Sequence, residues 1–136
     1  MKQELRLSGT GGQGLILAGI ILAEAALLDG KLAIQSQSYG PEARGGSSKS
    51  EVMISEEAIH FPKVTEPNLL LAMSQEAANK YSTDLSPESI LVTDSLFVSK
   101  LPAHTGKVYE LPITHSAKSS HQIFSFFISL SFVYIL

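Results

Sequence analysis

The sequence has 136 residues, of which 44% are hydrophobic and 17% charged, with a formal net charge of −3. These values describe one globular domain with a core of its own rather than a disordered chain, and they leave nucleic acid no basic face to hold. Cysteine is absent, which removes disulfides, a thiolate nucleophile, cysteine-ligated zinc and the usual iron–sulfur ligation from this chain.

The N-terminus opens directly into a strand-like run, without a basic region leading to an apolar signal core, so a cytoplasmic location is expected. Glu4 to Ser8 alternates around Leu5 and Leu7 and reads as a first strand. The stretch Gly9-Thr10-Gly11-Gly12-Gln13-Gly14 follows, then Leu15 to Leu28, in which Glu24 is the only charged residue. That run favours helix, and Asp29-Gly30 ends it. At roughly 21 Å it is too short to span a bilayer. Being apolar all round, it is covered either wholly by its own domain or partly by a partner chain.

Lys31 to Gln37 reads as a second strand, and a polar, glycine-rich loop, Ser38 to Ser50, leads into a third over Glu51 to Ile54. Leu69 to Met73 and Ile90 to Thr93 are continuous apolar runs of the kind buried on both faces of a parallel sheet. Gln75 to Tyr81 reads as helix and Val108 to Leu111 as a last strand. Strands alternating with helices predict an α/β fold: a single three-layer, Rossmann-like domain with a mostly parallel sheet. The final stretch, Ile123 to Leu136, carries no charge and holds four of the six phenylalanines. It must be buried, bound to a partner or prone to aggregation.

Four glycines in the first loop let a ligand or another backbone approach closely. The helix that starts there aims its unpaired N–H groups and positive dipole end into the same space, as an anion site requires. Gly9, Gly11 and Gly14 satisfy the dinucleotide spacing, but residues 35 to 38 are Gln, Ser, Gln and Ser where an acidic residue should grip a ribose. The nucleotide-hydrolase loop fails as well, because Leu15 stands in place of its lysine.

The second loop, Tyr39-Gly40-Pro41-Glu42-Ala43-Arg44-Gly45-Gly46, places one guanidinium among glycines. Its fork of donors suits phosphate or carboxylate. Loops after the first two strands open at the same carboxyl edge of a parallel sheet and can line one cleft. Arg44 serves either a ligand there or an acidic residue across a subunit contact. His60, His104, His115 and His121 lack metal-ligand spacing. No G-x-S-x-G nucleophile turn occurs, and Asp94 at the end of a buried strand fits a cap or turn role.

Taken together, Gly9 to Gly14, Ala18-Gly19, Leu22 to Ala25, Ser38 to Gly46, Val52 to Ser55, Ile59 with Pro62, Leu71 to Met73 and Gln75-Glu76 resemble the gamma subunit of 2-oxoacid:ferredoxin oxidoreductases. The resemblance runs from about Leu5 to Thr114. It implies one chain of an enzyme that uses thiamine diphosphate to decarboxylate a 2-oxoacid such as 2-oxoglutarate or pyruvate, forms an acyl-CoA and reduces ferredoxin through iron–sulfur clusters. It further implies that this chain holds no cofactor alone, and that thiamine diphosphate and the clusters belong to alpha, beta and, in some arrangements, delta subunits. It implies coenzyme A contact through Gly9, Gly11, Gly12, Gln13, Gly14, Tyr39, Gly40, Arg44, Gly45 and Gly46, with no catalytic residue and no metal here. A stand-alone nucleotide- or coenzyme A-binding module and a degenerate interaction subunit are the alternatives. The gamma-type domain is expected over residues 1–115. Residues 116–136 depart from the family, which continues into further helices, and read as a truncated or frameshifted tail.

Overall fold

The computed structural model describes residues 1–39, 46–104 and 106–119, with the backbone alone at Tyr39. In chain order the elements are β1 (Lys2–Gly9), α1 (Leu15–Leu28), β2 (Leu32–Tyr39), β3 (Ser48–Ser55), β4 (Leu69–Ala72), α2 (Gln75–Tyr81), β5 (Ile90–Asp94), β6 (Lys107–Leu111) and α3 (Ile113–Ser119). The strands form one sheet in the order β2-β3-β1-β4-β5-β6. β1, β4, β5 and β6 pair in parallel, whereas β3 runs antiparallel to both β1 and β2. β2 therefore points the same way as β1, and β3 alone is reversed. The cause is chain length. A parallel crossover needs a dozen or more residues, and the link from Tyr39 to Ser48 is too short for one.

Three layers result, as the alternation of elements predicts. α1 lies over β1, β2 and β3, while α2 lies over β1 and β4. Leu5 and Leu7 of β1, Val52 and Ile54 of β3, and Leu69 and Leu71 of β4 meet Leu15, Leu22 and Ala26 of α1 in the main core, with Ile113 of α3. The opposite face holds a smaller cluster of Ala72, Ala78 and Val98. α1 approaches the sheet closely at Gly19, where an added Cβ would lie 2.1 Å from Ser50 Oγ. The helix ends as its sequence predicts, with Gly30 at φ 78° and its N–H donating to the Leu27 carbonyl. Its outer face is uncovered among the described residues: Leu17, Ile20 and Leu27 are exposed, and Leu28 is 90% exposed.

Glu4, Arg6 and Ser8 of β1 are polar and nonetheless buried. Glu4 accepts the N–H groups of Thr65 and Glu66 at 3.2 and 2.9 Å, fastening the connection before β4. Arg6 donates through Nε to Glu51 Oε2 at 2.9 Å, and Lys49 Nζ holds Glu51 Oε1 at 2.9 Å. The Arg6 guanidinium also reaches Asp84 at 3.5 Å and lies 5.8 Å from the centre of the Tyr81 ring. This charged group joins β1, β3 and the end of α2 beneath the α2 layer.

Candidate functional site

β1 and β4 separate chain segments that turn away in opposite directions along the sheet, and a crevice opens at their carboxyl ends. The two strand ends are locked together. Ser8 Oγ donates to the Leu71 carbonyl and Met73 N–H to the Ser8 carbonyl, both at 2.8 Å. The first glycine loop is built from there. Gln13 accepts the Thr10 N–H at 2.8 Å and donates to the Met73 carbonyl at 3.0 Å, so its amide is engaged at both ends in shaping the loop.

Gly9 sits where no side chain fits: a Cβ would lie 2.2 Å from Gln13 Oε1 and 2.9 Å from both Leu15 Cδ1 and Met73 Cβ. Gly9→Ala is accordingly expected to displace Gln13 and cost about 1–3 kcal/mol, read as a lower midpoint in urea unfolding; an unchanged midpoint would show that the loop has slack. Gly11 and Gly12 are the reverse case, with open space where a Cβ would stand. Gly12 and Gly14 take φ of 83° and 76°. Gly14 is the N-cap of α1 and supplies no side-chain acceptor to the first turn.

The loop faces a cleft of about 350 Å³, whose floor is Leu71 and Met73 and whose far wall is Phe97 with Ile113, Thr114, Ala117 and Lys118. Among the described residues no carboxylate lines it. Asp94 sets the position of that wall. It is fully buried, and its carboxylate accepts both the N–H and the hydroxyl of Thr114 at the start of α3. The expected cap role is thus met, but by reaching across to a helix 20 residues away. Phe97, Thr114 and Lys118 are cleft residues that sequence reasoning missed. Pro112 immediately before Ile113 was the available signal for the short helix that carries two of them.

The two ends of the second loop lie beside the first loop. Gly9 pairs with Ser48, and Ser48 with Tyr39, so the loop leaves and rejoins the sheet within two strand spacings of Gly9, about 10 Å. Gly46 is described and half-buried; Gly40, Arg44, Gly45 and the Tyr39 side chain lie outside the described residues. The same register accounts for the broken dinucleotide fingerprint. β3 stands between β1 and β2, so the end of β2 is one strand further from the glycine loop than in a dinucleotide-binding sheet. His104 Nε2 lies 2.9 Å from the Ser89 carbonyl oxygen, and among the described residues no three His, Cys, Asp or Glu side chains gather as a metal site. His121 and the apolar stretch 123–136 lie outside the described residues. No helix among the described residues is long and apolar enough to cross a membrane.

A family model described as pyruvate ferredoxin/flavodoxin oxidoreductase matches residues 4–132. The chain is 52% identical over 120 residues to 2-oxoglutarate synthase subunit KorC of Methanocaldococcus jannaschii, covering 86% of this chain and 64% of that protein. It is 55% identical over 95 residues to the KorC subunit of Methanothermobacter marburgensis, covering 69% of this chain and 51% of that one. It therefore spans less than two thirds of the length of these relatives. Among solved structures, the gamma subunit of a keto/oxoacid ferredoxin oxidoreductase from Geobacter sulfurreducens superposes with a TM-score of 0.81 at 48% identity, covering 93% of this chain and 70% of that one.

Proposed function

This chain belongs to the pyruvate ferredoxin/flavodoxin oxidoreductase family, and from that footing we propose that it is the gamma subunit of a multi-subunit 2-oxoacid:ferredoxin oxidoreductase. The substrate in this reading is 2-oxoglutarate, after the names its relatives carry. The complex decarboxylates the 2-oxoacid oxidatively on thiamine diphosphate, passes electrons through iron–sulfur clusters to ferredoxin, and forms an acyl-CoA. Thiamine diphosphate and the clusters sit on the alpha, beta and delta partners, in keeping with a sequence that contains no cysteine. The assembly works in the cytoplasm. This chain contributes binding and positioning rather than chemistry.

The observation that carries the reading is the placement of the first glycine loop beside both ends of the second, with Gly9, Ser48 and Tyr39 in adjacent register. An anion entering there meets backbone at Gly11 and Gly12, with no Cβ in the way, and the uncapped first turn of α1. These residues fit a phosphate. Gly9 and Gln13 shape the loop, Gly11, Gly12 and Gly14 present its backbone, and Tyr39, Gly40, Arg44, Gly45 and Gly46 are the contacts assigned to the second loop in this reading. Arg44 adds the full positive charge that the backbone lacks. Bound coenzyme A supplies a thiol that accepts the acyl group made on the partner subunits.

Arg44→Ala in the assembled complex is expected to weaken coenzyme A binding about ten- to a hundredfold by calorimetric titration. Unchanged affinity would remove Arg44 from the site and leave it the interface role.

A further inference from the structure

β2 forms one edge of the sheet, and its sequence does nothing to turn away a further strand. Edge strands are ordinarily blunted by charge, proline, a bulge or a covering segment. The opposite edge follows that rule, since β6 carries Lys107 and Glu110. β2 has neither charge nor proline over its eight residues. Its register with β3 runs from Leu32 to Tyr39 without a bulge. Among the described residues no strand pairs with its outer side.

The helix above this edge is uncovered on the same flank. α1 lies over β2 and β3 alike. Leu15, Gly19, Leu22 and Ala26 face the sheet, and Ala18 turns toward α3 across the cleft. At about 3.6 residues per turn, the flank opposite Ala18 carries Ile20 and Leu27, both exposed. A Cβ added at Gly19 would lie 3.4 Å from Gln35 Cγ, which sets that flank over β2.

We infer that this edge pairs with β2 of a second copy of the chain, antiparallel about a two-fold axis perpendicular to the sheet. Symmetry singles out this occupant. Such an axis keeps both α1 helices on one face of the joined sheet. With strands about 4.8 Å apart and each helix seated between β2 and β3, the two α1 axes fall about 10 Å apart, which is helix-packing distance. Ile20 and Leu27 of the two copies then close on one another, and the uncharged strands meet with no like charges opposed. A lone foreign strand would satisfy the backbone of β2 and leave the helix flank bare. The contact is small, so the dimer is weak, dissociating over roughly 1–100 μM. This inference does not depend on the coenzyme A reading.

Sedimentation velocity of the full chain, diluted through that range, is expected to show a monomer–dimer equilibrium. Ile20→Lys and Ile20→Glu are each expected to raise the dissociation constant about tenfold, because a two-fold axis sets each new charge near its own copy. An equimolar mixture of the two is expected to return to the parental value, which also shows that both variants fold. Ser36→Lys, at an exposed position in the middle of the strand, is expected to weaken the dimer by a similar factor. A parent that stays monomeric throughout, association that ignores all three substitutions, or a mixture no tighter than the single variants overturns the pairing. So does a monomeric chain whose α1 and β2 amides gain protection from exchange only when partner subunits are added, because the face then belongs to one of them.

Discussion

Arg6→Ala is expected to lower the unfolding free energy by about 3 kcal/mol, near the low end of the cost of breaking a buried ion pair. Arg6 and Glu51 have side chains only 6% and 8% exposed, so removing the guanidinium leaves a carboxylate beneath α2 with one partner fewer. Lys49 keeps its hold on the other oxygen, which places the loss at the low end. Replacing both members, as Arg6→Met with Glu51→Leu, is expected to restore most of the stability, because desolvated charge and not contact area carries the penalty. Urea unfolding of the three proteins checks this. A single variant that melts with the parent would mean that water reaches Glu51, and the buried-pair account would fall.

Asp94→Ala carries the second large effect, about 2–4 kcal/mol, since two hydrogen bonds to a buried carboxylate are lost together. The consequence is local as well as global. Asp94 ties α3 to the end of β5 through Thr114, and α3 forms the far wall of the cleft. Amide exchange over residues 113–119 is expected to accelerate more than exchange in β1 or β4. Uniform acceleration across the sheet would show that Asp94 supports the whole core and not α3 in particular. The same substitution is expected to weaken any ligand held between the loop and α3, without touching the Gly9–Gly14 backbone.

Local chemistry made much of this protein legible in one dimension. α1 begins and ends at the residues where glycine, leucine and alanine propensities place its limits, and α2 spans the predicted Gln75–Tyr81 with Ser74 as its cap. The apolar runs at Leu69 and Ile90 are the central parallel strands. The first glycine loop and both ends of the second sit at one edge of the sheet. The reversal of β3 was not foreseen, although the short link from Tyr39 to Ser48 contains the reason. α3 escaped notice because seven residues with one buried side chain leave no periodicity to find. The identity of the cleft wall was hidden with it.

Among the described residues the outer face of α1 is bare, and composition did not say which face that would be. A uniformly apolar helix has no pattern from which to tell its covered side from its free one.

Sequence by itself determined the α/β class, both glycine loops, the absence of thiolate chemistry and the family, because each depends on residue identity or on neighbours a few positions apart. Tertiary structure alone decided that Glu4 and Arg6 are buried, that β3 parts β2 from β1, and that Phe97 and Lys118 line one cleft whose α3 wall Asp94 holds through Thr114. Those outcomes depend on which distant segments pack together, and pairing across 20 to 80 residues leaves no trace in local periodicity.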